Sequence, residues 1–124
     1  MGLQCKVRQA GEVSFLDLKG QFTIVMRKSD PGELQILELV RSLTDAGNKK
    51  IVLNLSGVSL IDSAGIGQLI GALTSARNRG AQIKLLKPTD EVRKVLQLTQ
   101  LTRVFEVHES EEGVMQSFAA SAGP

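Results

Sequence analysis

The stretch KKIVLNLSGV, residues 49–58, constrains the fold more than any other part of the chain. Ile51, Val52, Leu53 and Leu55 form the short apolar run typical of a central strand covered on at least one face. Helical patterns flank it. Upstream, SDPGELQILELVRSLTDAG offers Asp30 as N-cap, Pro31 at the first helical position and Glu33 to complete a capping box. Leu34, Leu37, Val40 and Leu43 keep helical spacing, Ile36 and Leu39 widen the stripe, and Gly47 fits the stop. Downstream, GQLIGALTSARNRG (67–80) reads as a helix and AQIKLLK (81–87) as the next strand. Thr89 caps a further helix, RVFEVH (103–108) reads as a last strand, and Ser110 with Glu111 and Glu112 opens a final helix. Before all of these, residues 3–10 and 12–20 alternate loosely, as two strands joined at Gly11 would, and the first half of 21–30 can extend the second strand.

Strands alternating with helices demand parallel pairing through right-handed crossovers. The expectation is a single small α/β domain over residues 1–120, with a frayed tail at 121–124. Its sheet is mixed and mostly parallel, with about five strands and four helices mainly on one face. A chain of 124 residues suits one domain, and with aromatics at only 3% its core must be aliphatic. Without Trp or Tyr, and with 15 basic residues interspersed among 13 acidic ones, nothing marks a nucleic-acid surface. Cys5 is the sole cysteine, so no internal disulfide is possible, and a half-buried strand position suits it. No secretory signal, acylation motif or membrane-length apolar run stands out, and the expected location is the cytoplasm.

The segment SLIDSAGIGQL, residues 59–69, sets Asp62 and Ser63 at the mouth of a helix, with Gly65 and Gly67 just inside it. Glycine costs about 1 kcal/mol against alanine in a helix interior, so a bare surface or a close approach is wanted there. A hydrolase elbow requires glycine two residues before the serine, and Ile61 stands in that place. His108 is the only histidine and has no clear orienting acid. Gly65, Gly67 and Gly71 run one residue long for a dinucleotide fingerprint, and Lys87 occupies the place of the ribose-binding acid. One His and one Cys, far apart, make no N/S metal site. No cofactor or metal is expected, and the chain reads as a non-enzyme. Two readings stay open: Ser63 or Asp62 is simply the N-cap, or Ser63 is a phosphate acceptor whose new charge would disturb a small, apolar contact face.

From residue 12 onward the sequence resembles the STAS domain of anti-sigma factor antagonists. The resemblance is carried by Asp62, Ser63, Ala64, Gly65, Ile66 and Gly67, which match the family's Asp-Ser-(Ser/Ala)-Gly-(Ile/Leu)-Gly hallmark. It extends through the G-x-x-(I/L)-x-L strand, the P-x-x-E-V-x-x-V-L-x-L-T-x-L segment and the V-F-x-V strand. It implies that the unphosphorylated protein binds an anti-sigma serine kinase of histidine-kinase-like ATPase fold and so frees a sigma factor. The kinase then phosphorylates Ser63, the complex falls apart, and a serine phosphatase resets it. The implied contact residues are Asp62 through Gly67 together with Thr23 and Asn54, in a monomer or weak dimer that does not enter the membrane. The chain departs from the family where L-D-L-S becomes Leu53, Asn54, Leu55, Ser56, and where G-x-(L/F)-D becomes Gly20, Gln21, Phe22, Thr23. Two neutral residues in place of acids lessen the repulsion met by an incoming phosphate. The alternative is a constitutive STAS module, a scaffold or accessory subunit of a lipid or anion transport complex. A nucleotide sensor near residues 65–71 is a third reading.

Overall fold

The computed structural model describes residues 3–22 and 36–121. Its elements follow in the order β1 (Gln4–Ala10), β2 (Val13–Phe22), α1 (Ile36–Asp45), β3 (Lys50–Ile61), α2 (Ser63–Asn78), β4 (Gln82–Leu86), α3 (Asp90–Leu98), a 3-10 turn (Leu101–Arg103), β5 (Val107–His108) and α4 (Glu111–Ser121). The strands form one sheet in the order β1-β2-β3-β4-β5. β1 and β2 are an antiparallel hairpin, closed where Ala10 faces Val13, and every later neighbour is parallel. The expected start of the first helix at Asp30, Pro31, Glu33 and Leu34 lies outside the described residues. Of the expected tail at 121–124, Ser121 closes α4 and the rest lies outside them.

The two faces of the sheet are covered unequally. On the first, α1, α2 and α3 bury an aliphatic core in which Leu16, Ile51, Leu53, Leu55, Leu69, Leu85 and Val92 are all fully enclosed. On the second, α4 sets Val114 and Phe118 over Val13, Phe15, Val52 and Leu86. Polar contacts assist it. Lys84, buried to 2% exposure, reaches Ser117 at 2.9 Å and Glu106 at 3.1 Å, and lies 4.3 Å from the centre of the Phe118 ring.

Two elements differ from the sequence reading. β3 runs on to Ile61, three residues past the expected end, because β2 continues beside it through two register shifts. One extra residue in β3 falls between Asn54 and Gly57 and a second between Val58 and Leu60, and the second breaks the two-residue period where the expected strand ends. The last strand keeps only Val107 and His108 of the expected 103–108. Leu101–Arg103 winds a tight turn instead, with the amides of Val104 and Phe105 bonded to the Leu101 carbonyl, and Phe105 drops into the core. Among the described residues no helix is long and apolar enough to cross a membrane.

Candidate functional site

β3 carries the chain to the carboxyl end of the parallel sheet, where open α/β sheets place their sites. Ile61 is the last core residue of the strand, and Asp62 turns the chain into α2. Asp62 has extended backbone, with φ −116 and ψ −173, and its Oδ1 accepts from the Gly65 amide at 3.0 Å. The Asp62 carbonyl then accepts the Ile66 amide at 2.9 Å and starts the helical ladder. The N-cap is therefore Asp62, and Ser63 is free of that duty. It is the first residue of α2 and is exposed.

The helix behind it is unusual in composition. Between Ser63 and Ala76 it carries no charge. Leu69, Ala72, Leu73 and Ala76 are buried against the sheet, and the Gln68 side chain accepts the Ile36 amide at 3.2 Å, which fixes α2 to the start of α1. The outward row, spaced as one helical face, is Ser63, Gly67, Ile70 and Thr74. Ile70 is 44% exposed, and a methyl group built on Gly67 would meet nothing within 4 Å. Ala64 and Ile66 are half-buried, and Gly65 is buried with its amide taken by Asp62. The six hallmark residues thus form one turn, with Ser63 and Gly67 outermost. Beside it, the Thr89 hydroxyl donates to the Val58 carbonyl at 2.7 Å and ties the start of α3 to β3.

Of the two outlying residues expected at this site, Thr23 lies outside the described residues. Asn54 is described and lies elsewhere. It sits eight residues before Asp62 on β3, which at strand rise is on the order of 25 Å away. Its amide donates to Asp17 Oδ1 at 2.8 Å, and its Oδ1 accepts the Ser56 amide at 3.1 Å. Asp17 also takes Arg8 Nε and, at 3.0 Å, Arg8 Nη2, while Arg8 Nη1 reaches Glu111 at 3.1 Å. The Arg8 guanidinium, its hydrogen bonds outweighing partial burial, holds the Asp17 carboxyl below its ordinary range. Sequence reasoning missed this network because its members come from β1, β2, β3 and α4. His108 closes β5, two strands from β3, with Nε2 3.4 Å from Glu106. Burial, helped by the charge of Asp17, pushes the Cys5 thiol up to about 11, as a half-buried strand cysteine should behave. Among the described residues no group of three His, Cys, Asp or Glu side chains comes together to hold a metal.

The sequence model of the STAS domain matches residues 32–114, well over half of the chain. This chain belongs to the STAS domain family. A candidate anti-sigma factor antagonist of Thermotoga maritima is 34% identical over 70 residues, which cover 56% of this chain and 62% of that protein. The alignment thus spans less than two thirds of that relative. The anti-sigma-B factor antagonist of Staphylococcus aureus is 26% identical over 78 residues, 63% of this STAS chain and 72% of its own. Among solved structures, the anti-sigma factor antagonist SpoIIAA in its unphosphorylated form superposes with a TM-score of 0.73. The superposition covers 94% of this chain and 97% of that one at 20% identity, a likeness of fold. The phosphorylated form of SpoIIAA, a Bacillus cell fate determinant, superposes at 0.67, covering 93% and 99% at 20% identity.

Proposed function

We propose that the protein is an anti-sigma factor antagonist that docks through the first turns of α2 and is switched off by phosphorylation of Ser63. The observation that carries this reading is the exposed Ser63 at the head of an uncharged helix face, where Gly67 stands over open space. Among the described residues nothing requires a glycine at 67, and an approach from outside would offset its cost to the helix. Unphosphorylated, the row Ser63, Gly67, Ile70 and Thr74 lets a partner backbone lie close to the helix. The partner is an anti-sigma serine kinase of histidine-kinase-like ATPase fold, which gives up its sigma factor on docking.

Phosphorylation adds about −1.5 to −2 charges at this spot. The positive end of the α2 dipole accommodates that charge without melting the helix, while Asp62 adds a second anion beside it. The face then carries charge that a partner must desolvate, so the complex dissociates and awaits a serine phosphatase. The relatives' names and the two solved states of SpoIIAA support this reading. Incubation with such a kinase and radiolabelled ATP tests it. One label on Ser63, absent from Ser63→Ala, is the expected result. Equal labelling of Ser63→Ala, or co-purification with a transporter ATPase in place of a kinase, contradicts it.

A further inference from the structure

Among the described residues the second face of the sheet is only half covered. α4 lies over Val13, Phe15, Val52 and Leu86, and no described element packs on the part of the face towards Gln4 and Lys19. There the sheet holds a hollow of about 420 Å³, lined by Lys6, Asp17, Lys19, Asn54, Ser56 and Gly57 among others. That volume falls in the range of small-ligand pockets. The hollow lies where β3 bulges opposite Leu18, and bulges recur where a strand re-aims side chains beside a site.

The charges around the hollow do not balance. Lys6, Arg8 and Lys19 supply three cations against the two carboxylates Asp17 and Glu111. Both acids are engaged by Arg8, and Asp17 holds the Asn54 amide as well. Lys6 meets Asp17 only through space, and the Lys19 side chain has no hydrogen bond or ion pair among the described residues. Gln4 faces Lys19 and Lys6 faces Asp17 across the hairpin, so the two lysines are diagonal neighbours on one face, with Cα atoms about 7 Å apart. Two ammonium groups on flexible stems at that spacing can close on a single dianion. Ser56, exposed beside them, adds a hydroxyl donor. No aromatic face is offered for a base to stack on, since Phe15 is 1% exposed and lies under the Arg8 guanidinium.

We propose that this hollow binds the phosphate monoester group of a small molecule without a nucleobase, held between Lys6 and Lys19 with Ser56 as hydroxyl donor. The phosphate belongs either to a soluble ester or to a lipid headgroup. Amide NMR shifts recorded while glycerol 3-phosphate is added, with glycerol as the blank, test the soluble source. Co-sedimentation with phosphatidic acid vesicles, against phosphatidylcholine vesicles, tests the lipid one. Saturable shifts centred on Lys6, Lys19, Ser56 and Gly57, or pelleting with phosphatidic acid alone, are the expected results. In either arm the Lys6→Gln, Lys19→Gln double variant loses roughly ten-fold or more in affinity, while the Lys49→Gln, Lys94→Gln double variant, the same loss of two charges elsewhere, does not. Shifts centred on Ser63, binding that the double variant keeps, or no binding in either arm would overturn the proposal.

Discussion

Gly57 and Gly67 lie ten residues apart on either side of the β3–α2 junction, and they are glycines for opposite reasons. A Cβ on Gly57 would sit 2.7 Å from the Leu18 carbonyl and 3.3 Å from the Lys19 Cα, so the β2–β3 bulge closes only around a bare backbone. A Cβ on Gly67 would touch nothing among the described residues. One glycine serves the protein's own packing, and the other, on the proposed reading, serves a partner's approach. The comparison separates the structural end of this segment from the docking end, and stability and binding should respond to it in opposite directions.

Gly57→Ala should be the most damaging change. The clash is with backbone, which cannot swing away, and a loss on the order of 2–3 kcal/mol is expected in urea unfolding. Asp62→Ala comes next. It removes the N-cap from the Gly65 amide and should cost about 1 kcal/mol. Gly67→Ala should reverse the sign. It adds helix propensity in open space, and the protein should gain about 0.7 kcal/mol while its affinity for the kinase falls. A loss of stability at Gly67, or tolerance at Gly57, would break the comparison.

The smallest effect sharpens it from the bulge side. Arg8 lowers the Asp17 carboxyl in the folded state, so the stabilisation from this pair is present above the ordinary carboxylate range and is lost as pH falls through the lowered value. Asp17→Asn should therefore be less stable than the parent by about half a kcal/mol at neutral pH. The gap should close as the solution is acidified below the carboxylate range, and unfolding curves at several pH values would reveal it.

Much of this was legible in the sequence, and the exceptions have physical causes. Local chemistry read true. Thr89 caps α3, Ser110 accepts the Gly113 amide at the head of α4, and Gly47 ends α1 with φ 96. The cap before α2 was ambiguous between Asp62 and Ser63, because either side chain can accept a helix amide; the backbone of Asp62 decides it. The last three residues of β3 were hidden by the second irregularity, an extra residue between Val58 and Leu60 that breaks the alternation there. Asn54 was drawn to the docking site by resemblance, although its partners Asp17 and Arg8 reach it from other strands. The link from Arg8 to Glu111 spans 103 positions, and no local pattern carries such a contact.

The central claim is that charge on one exposed hydroxyl governs docking. Its most direct measurement is the Kd of the kinase for the unphosphorylated chain and for the chain stoichiometrically phosphorylated at Ser63, taken at one ionic strength. The account predicts a weakening of about 100-fold, the cost of burying an unmatched anion at a contact face. Equal affinity for the two forms, with Ser63 shown by mass spectrometry to carry the phosphate, would contradict it.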